Sequence, residues 1–215
     1  VASVSGITDI CIGGTTTLTA TGGDSYFWTE LGTSGAVVSV SPLVNTTYHV
    51  VVTNTTTGCQ NTAAVTVNVH ALPTPNITGT TTICAGQSTT LTATGGTSYL
   101  WSTGETTQSI TPTITNNITY TVTVTDNKGC TATTNHAVTV IPESVINISG
   151  DLDICVGETT TLTASGVPSG TYLWSNGQGG ASITVSPASE TTYTVTATDG
   201  NGCQSTGFVT VKVNA

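Results

Sequence analysis

The sequence has very little charge. Only 6% of its 215 residues are Asp, Glu, Lys or Arg, with two Lys, no Arg and a formal net charge of −9, whereas about a quarter of an average protein is charged. Because basic side chains neutralise phosphates, this balance excludes nucleic acid as a partner and disfavours anionic membrane surfaces. No apolar run approaches the roughly 20 residues that a spanning helix needs, so we expect no membrane insertion in this segment.

Features of catalytic and cofactor sites are also scarce. No CxxC pair is present, the eleven carboxylates are scattered, and the three His lie at unmatched positions of the repeat described below: His49, His70 and His136. Nucleophile, base and acid therefore share no recognisable spacing. The sequence predicts a protein that is not an enzyme, with no catalytic residue, no cofactor and no metal site.

Cysteine marks an internal repeat. An opening cysteine begins each copy (Cys11, Cys84, Cys155) and a closing cysteine ends it (Cys59, Cys130, Cys203), with opening cysteines 73 and 71 positions apart (84 − 11, 155 − 84). Such a period overrides a domain count based on length. It predicts three domains, at residues 1–71, 72–142 and 143–215, which we call copies 1, 2 and 3. A unit of this size has a modest core, so we expect a covalent cross-link in each.

One disulfide pairing would let every copy fold alone, and it joins cysteines within each copy: Cys11–Cys59, Cys84–Cys130 and Cys155–Cys203. Free thiols or a zinc site are the alternatives, although thiolate ligands would need neighbours that this sequence lacks. Disulfides place the protein outside a reducing cytosol, in an extracellular or cell-surface location. The first residues carry no signal-peptide pattern, so we expect any signal peptide to have been removed.

Short alternating segments predict strands throughout. In copy 2, residues 90–94 and 119–125 alternate apolar and hydroxyl side chains, and residues 98–102 are rich in aromatic side chains. Turn residues separate these segments, and helical periodicity appears nowhere. The predicted fold class is all-β: three tandem immunoglobulin-like antiparallel β-sandwiches of about seven strands each, arranged as an extended rod. A stacked cross-β fibre is the alternative, and the 24 Gly and seven Pro sited between the segments disfavour it.

Equivalent positions of the three copies predict the core. These positions are occupied by Leu18, Leu91, Leu162, Trp28, Trp101, Trp174, Tyr48, Tyr120 and Tyr193. A sugar-stacking platform is the alternative for the three Trp. The three Tyr resemble the tyrosine-corner position, where the hydroxyl binds a loop to the backbone. Asp151 and Asp153, near Glu143, form either a Ca²⁺ site or a solvated loop.

A motif recurs in each copy: Ile-Cys-x-Gly, Leu-Thr-Ala, Tyr-x-Trp-Ser, Ser-Ile-Thr, and Thr-Tyr-Thr-Val-Thr-x-Thr-Asp-x-x-Gly-Cys. Copies 2 and 3 carry it nearly intact, whereas copy 1 departs from it at residues 54–59 and after Trp28. The motif resembles the tandem immunoglobulin-like and PKD-like repeats of large cell-surface adhesins and gliding-motility-associated proteins of Bacteroidetes-type bacteria. The resemblance implies a spacer, stalk or adhesive role at the cell surface.

The predicted function is therefore a non-enzymatic structural or adhesive repeat segment, a stalk or spacer, of a secreted or cell-surface bacterial protein. The alternatives are a subunit of an extracellular filament or sheath and, third, a carbohydrate-binding accessory module of a secreted enzyme. The expected partners are neighbouring repeats or copies of the chain itself, with surface glycans and other surface proteins as further candidates. If Val1 followed Ala215, the next opening cysteine would stand at position 226, 71 after Cys155 (226 − 155), so we expect a longer array or end-to-end subunits.

Overall fold

The chain folds into β-strands joined by turns in a computed structural model that describes residues 1–215. It contains no helix long and apolar enough to cross a membrane. Two compact units are present. The first comprises Val1–Gly79, Thr90–Ile110 and Thr119–His136, and the second comprises Thr80–Thr89, Thr111–Ile118 and Ala137–Ala215. Copy 1 lies in the first unit and copy 3 in the second, and the residues of copy 2 belong to both; the domain boundaries after residues 71 and 142 stay a prediction.

Copy 1 forms two sheets. Its strands are β1 (Ser3–Gly6), β2 (Asp9–Cys11), β3 (Thr16–Thr21), β4 (Ser25–Trp28), β5 (Thr33–Ser34), β6 (Val37–Val40), β7 (Thr46–Thr53) and β8 (Gln60–His70). One sheet has the order β1-β3-β6, and the other has the order β2-β8-β7-β4-β5. The long hairpin β7–β8 follows from the alternation of residues 46–53, which places Tyr48, Val50 and Val52 on the buried face.

Copy 3 repeats this arrangement within the second unit. Its strands are β18 (Asn147–Ser149), β19 (Asp153–Cys155), β20 (Thr160–Ser165), β21 (Thr171–Trp174), β22 (Ser182–Val185), β23 (Thr191–Thr198) and β24 (Gln204–Asn214). The sheets have the orders β18-β20-β22 and β19-β24-β23-β21. The equivalent strands of copies 1 and 3 thus follow the same order in both sheets, and this order is that of an immunoglobulin-like sandwich.

The strands of copy 2 are divided between the two units. They are β9 (Asn76–Thr78), β10 (Thr82–Cys84), β11 (Gln87–Ser88), β12 (Leu91–Thr94), β13 (Ser98–Trp101), β14 (Ser109–Ile110), β15 (Thr113–Ile114), β16 (Ile118–Thr125) and β17 (Thr131–Ile141). In the first unit β12 lies between β9 and β14, and β13 pairs with β16. In the second unit β10 pairs with β17 and β11 with β15. The prediction of an all-β chain of tandem immunoglobulin-like sandwiches is confirmed.

The first strand of each copy changes sheet part-way. In copy 1, β1 pairs antiparallel with β3, whereas β2 pairs in parallel with β8. Gly6 makes this change possible, because it has φ +152° and a Cβ there would lie 2.5 Å from the carbonyl oxygen of Thr17. Gly79 and Gly150 have the same conformation and the same close contact in the other copies. The parallel pair was not expected from the sequence, which predicts antiparallel sheets only.

The core of each copy is built around one tryptophan at the end of a strand. In copy 1 it is Trp28, which packs in one cluster with Leu18, Val50 and Val67, all four fully buried. Copy 3 has the equivalent cluster around Trp174, and in copy 2 Trp101 is 2% exposed. Because burying a large aromatic side chain removes much apolar surface from water, these clusters dominate the stability of each sandwich.

Candidate functional site

The opening cysteines occupy one defined place in the fold. Each is the last residue of a short strand that runs parallel to the final strand of its copy, and the register pairs are Cys11 with His70, Cys84 with Ile141 and Cys155 with Asn214. The next residue continues the pattern, because the N–H groups of Ile12, Ala85 and Val156 donate to the carbonyls of these partners at 2.8, 3.0 and 3.0 Å. The backbone around the opening cysteine is therefore the same in all three copies.

The closing cysteines follow a tight turn that precedes the last strand. Their carbonyls accept a hydrogen bond from the residue that starts the turn, at 2.9 Å in each copy, and the pairs are Asn54 with Cys59, Asp126 with Cys130 and Asp199 with Cys203. A glycine precedes each cysteine and has a left-handed backbone, with φ between 72° and 83°. Each closing cysteine thus lies at the opposite end of the last strand from the opening cysteine of its own copy.

A side chain at the start of this turn organises it. Asp199 Oδ1 accepts hydrogen bonds from the N–H groups of Asn201 and Cys203, both at 2.8 Å. The N–H of Cys203 and the other N–H groups of the turn lower the pKa of Asp199, because they stabilise the carboxylate, and burial opposes this only in part. In copy 1, Asn54 Oδ1 accepts instead from the N–H groups of Thr56 and Thr57, at 3.1 and 2.9 Å. The turn therefore forms with a neutral side chain as well.

The structure contains two disulfides, and both join different copies. Cys11 is bonded to Cys130 and Cys84 to Cys203, with a Cα–Cα distance of 5.6 Å and a sequence separation of 119 in each. Cys59 and Cys155 are free and exposed. Each bond thus joins the opening cysteine of one copy to the closing cysteine of the following copy.

This pairing corrects the expected pairing of Cys11 with Cys59, Cys84 with Cys130 and Cys155 with Cys203. Cys11 lies beside His70, the last residue of β8, whereas Cys59 directly precedes the first residue of that strand. The ten steps along β8 (70 − 60) span about 33 Å at about 3.3 Å per residue. A disulfide needs Cα atoms within roughly 7 Å. A bond within copy 1 is therefore excluded by the length of its last strand, and copy 3 has the same geometry.

A signal in the sequence could have found the correct pairing. The spacing from opening to closing cysteine within a copy varies, being 48, 46 and 48 positions (59 − 11, 130 − 84, 203 − 155). The spacing to the closing cysteine of the next copy is 119 in both cases. A constant spacing indicates a constant geometry, and only the second of these spacings is constant.

The three tryptophans lie inside the sandwiches. Trp28, Trp101 and Trp174 are 0%, 2% and 2% exposed, so their faces are not available to stack on a sugar. The indole N–H of each donates to a backbone carbonyl of the neighbouring turn, at Gly35, Thr107 and Gly180, over 2.8–3.0 Å. These bonds satisfy the polar group that burial of the ring would otherwise leave unpaired.

The tyrosines divide into two groups. Tyr48, Tyr120 and Tyr193 are buried, at 5%, 3% and 9% exposure, and no hydrogen bond to their hydroxyls is found. The hydroxyl-to-carbonyl bond expected of a tyrosine corner is made by other tyrosines: Tyr99 donates to Gly96 at 3.0 Å and Tyr172 to Val167 at 3.2 Å, with Tyr26 in the same place in copy 1. Each of these hydroxyls reaches a carbonyl of the turn that precedes its own strand, which is β4, β13 or β21.

Charged contacts are few. His49 Nδ1 lies 2.6 Å from Glu30 Oε1, and His70 Nε2 lies 2.8 Å from Asp9 Oδ1. Burial alone would raise the pKa of Glu30, but hydrogen bonds from the N–H and the ring of His49 lower it to about 2. A hydrogen bond with His70 lowers the pKa of Asp9 in the same way. Both pairs lie at the surface of copy 1 only.

The two acidic residues considered for calcium are exposed: Asp151 lies in a loop, and Asp153 is the first residue of β19. Asp151 Oδ1 accepts a hydrogen bond from the N–H of Asp153 at 3.2 Å. No group of three or more His, Cys, Asp or Glu side chains is placed to hold a metal ion. The loop therefore lacks the several carboxylate oxygens that Ca²⁺ takes from protein.

Comparison with known proteins gives likenesses to solved structures only. No family model and no curated protein matches the chain. The three N-terminal domains of the Highly Immunogenic Outer Capsid protein (Hoc) of bacteriophage RB49 are 20% identical, over 100% of this chain and 98% of that one, with a TM-score of 0.39. A 1.5-MDa bacterial ice-binding adhesin is 15% identical, over 100% and 98% of the two chains, with a TM-score of 0.35.

The N-terminal eight immunoglobulin domains of the Down Syndrome Cell Adhesion Molecule are 15% identical, with a TM-score of 0.44. This likeness covers 97% of the present chain but spans only about a third of that chain, 36%. TM-scores below 0.5 do not by themselves establish that this chain shares a fold with these proteins. The fold assignment comes from the sheet order and register described above.

Proposed function

We propose that this chain is a non-enzymatic structural repeat segment, a stalk or spacer, of a secreted or cell-surface bacterial protein. The observation that carries the proposal is the disulfide pattern, because Cys11–Cys130 and Cys84–Cys203 bond each copy to the next one. A bond within a copy would stabilise that copy alone. A bond between consecutive copies adds a second covalent connection beside the peptide linker, which is useful in a protein that must stay continuous under load.

The two disulfides shorten the covalent route along the chain. With both intact, the shortest route from Cys11 to Cys203 crosses one bond to Cys130, runs through the 46 residues back to Cys84 (130 − 84) and crosses the second bond. Without them the route is 192 residues (203 − 11). The difference of 146 residues (192 − 46) corresponds to roughly 500 Å of extended chain at about 3.4 Å per residue. The bonds therefore limit how far the segment can be stretched.

Single-molecule stretching tests this role. The chain is held by its two ends and fully unfolded, once with the disulfides intact and once after reduction. We expect the released contour length to increase by roughly 500 Å on reduction. A double Cys59→Ser, Cys155→Ser variant serves as the control, because it keeps both bonds and should give the same difference. Equal lengths with and without reductant would contradict the proposed load-bearing role.

The surface chemistry supports an extracellular role. Pairs of hydroxyls link neighbouring strands across the exposed faces, for instance Ser3 with Thr21 and Thr47 with Thr66, both at 2.8 Å, and Thr192 with Thr210 at 2.9 Å. Such bonds carry no charge, so they are not weakened by salt or by a change of pH as ion pairs are. A protein outside the cell meets changes of both kinds.

The proposed surface location and adhesive role follow from disulfide chemistry and from the repeated sequence motif. Disulfides persist in oxidising compartments, which supports a location outside the cytosol. The cysteine and tyrosine motif resembles repeats of Bacteroidetes-type surface adhesins and gliding-motility-associated proteins, so we propose that the stalk belongs to such a protein. Antibodies raised against the chain should label intact cells of the producing bacterium. Labelling that requires permeabilised cells would contradict a surface location.

A filament or sheath subunit is the second candidate. The exposed free thiols of Cys59 and Cys155 favour it, because each stands where the other copies form a bond to a neighbour. Electron microscopy of the producing cells separates the two candidates: fibres with a uniform repeat favour the filament, and single flexible strands favour the stalk.

A further inference from the structure

We propose that a cavity beside the Cys84–Cys203 disulfide binds a neutral sugar unit of a glycan, and that Gln87 and Gln204 hold it by hydrogen bonds. The cavity has a volume of about 500 Å³ and is lined by ten residues, all of which belong to the second unit. Small-molecule sites in proteins have volumes of roughly 300–1,000 Å³. The inference adds a binding site to the chain and does not depend on the load-bearing role proposed above.

The cavity lies where residues of two copies meet. One wall comes from the segment Thr80–Thr89 of copy 2, and the other comes from Gly202 and Gln204, at the start of the last strand of copy 3. The disulfide joins the two walls, because Cys84 lines the cavity and Cys203 stands between Gly202 and Gln204 in the chain. A covalent bond therefore fixes the spacing between the two halves of the site.

Two unpaired side-chain amides line this cavity, one from each wall. The chain has five glutamines, and three of them form a hydrogen bond to a neighbour through the side-chain amide: Gln60, Gln108 and Gln178. Gln87 and Gln204 form no such bond, are exposed, and both line the cavity. Because an amide has two donor hydrogens and an acceptor oxygen, the pair offers both kinds of group to a ligand.

The chemistry of the lining favours a neutral ligand with many hydroxyls. No charged residue lines the cavity, so a charged ligand would lose hydration without gaining an opposite charge. The hydroxyls of Thr82 and Ser88 add further donors and acceptors, whereas Ile83 and Ala85 supply apolar surface. A sugar ring matches this mixture, because its hydroxyls form hydrogen bonds at the rim while its C–H groups contact apolar atoms.

The other disulfide joint, around Cys11–Cys130, differs at the positions that matter. Copy 1 has Ile12 and Gly14 where copy 2 has the alanine and the glutamine of the cavity. Thr131 stands in copy 2 where copy 3 has its glutamine. Both amides are therefore replaced there, and a larger apolar side chain takes the place of the alanine. We expect sugar binding at the Cys84–Cys203 joint and not at the Cys11–Cys130 joint.

NMR titration of the isotope-labelled chain tests the proposal. The probes are glucose, galactose, mannose and N-acetylglucosamine, with glucuronate as a charged sugar of the same ring size. We expect at least one neutral sugar to shift the side-chain amide signals of Gln87 and Gln204 together and saturably, with a dissociation constant on the order of 1 mM. Glucuronate should leave both signals unchanged. The proposal is overturned if no neutral sugar shifts these signals, or if glucuronate shifts them equally.

Single substitutions locate the site for the sugar that gives the largest shifts. Gln87→Leu and Gln204→Leu should each weaken its binding about tenfold, which corresponds to the loss of one hydrogen bond. Ala85→Ile should weaken it by more than tenfold, because it introduces into the cavity the larger side chain that copy 1 has at this position. Unchanged affinity in all three variants would place the sugar elsewhere and overturn the proposal.

Gln60→Leu is the matched control. Gln60 follows the closing cysteine of copy 1 as Gln204 follows that of copy 3, but it does not line the cavity. This variant should bind the sugar as the wild-type chain does, and an equal loss of affinity would refute a specific site. Retention of the Cys84–Cys203 bond in peptide maps shows that each variant has folded. None of these substitutions alters a disulfide, so the stretching experiment remains a separate test of the stalk.

Discussion

Replacing one cysteine at a time in copy 1 separates the two disulfide patterns. In the structure, Cys11→Ser breaks a bond that closes a loop of 119 positions, whereas Cys59→Ser removes an exposed free thiol. In the loop-entropy model the first change lowers the free energy of unfolding by about 5 kcal/mol. An exposed substitution changes it by no more than about 0.5 kcal/mol. The two variants are therefore expected to differ about tenfold in their effect.

Pairing within the copy predicts a different result. Cys11→Ser and Cys59→Ser would then break the same bond, with a loop of 48 positions (59 − 11). Each variant would lose about 4 kcal/mol in the same model, and the two would be indistinguishable. The comparison is useful because both substitutions lie in one copy and change one sulfur to one oxygen.

Two measurements on the non-reduced monomer provide the answer. Titration of the native chain with a thiol reagent should find two free thiols, corresponding to Cys59 and Cys155, and only one in Cys59→Ser. Guanidinium unfolding then gives the shift in midpoint for each variant. A wild-type chain with no free thiols, or equal shifts for the two variants, would refute the pairing described here.

Three further predictions concern single side chains. Thr160→Val should raise the free energy of unfolding by about 1 kcal/mol, because the buried Thr160 hydroxyl has no hydrogen-bond partner. Thr16→Val should lower it by a similar amount, because the Thr16 hydroxyl donates to the carbonyl of Ile7. Thermal unfolding of both variants measures the two effects. Trp174→Ala should cost about 3–5 kcal/mol, and denaturation of copy 3 no earlier than in wild type would contradict its place in the core. The lowered pKa of Asp199 means that its carboxylate stabilises the turn at neutral pH and that this contribution is lost as the pH falls below 3.8 through the folded pKa. Stability curves of Asp199→Asn and wild type should therefore converge in acid, and a difference independent of pH would refute this.

The local structure could be predicted from the sequence to within a residue or two. The segment at residues 119–125 was expected as a strand and is found as Ile118–Thr125, and residues 98–102 are found as Ser98–Trp101. The repeated tryptophans lie in the cores of the sandwiches, as their repeated position beside a strand-forming tyrosine suggests. Alternation with a period of two is a property of any extended chain, so it shows in the sequence without knowledge of the partner strand.

The sheet change in the first strand could not be predicted in this way. Residues Ser3–Gly6 and Asp9–Cys11 are short and carry no strong alternation, and their partners, β3 and β8, begin about 10 and 50 positions later. Gly6 was the one local signal, since its left-handed backbone and close contact with Thr17 exclude any side chain. Glycine occurs in many kinds of turn, however, so only the conformation and contacts of Gly6 identify it as the point where the strand changes sheet.

By itself the sequence determined the class of the fold, the three copies and the residues that are buried, because these depend on local alternation and on a repeat that can be counted. Only the tertiary structure decided which sulfurs meet. A cysteine is bonded to the partner that the lengths and ends of the strands bring within reach, and in this chain the last strand of each copy separates its own two cysteines and leaves Cys11 and Cys84 to the copy that follows.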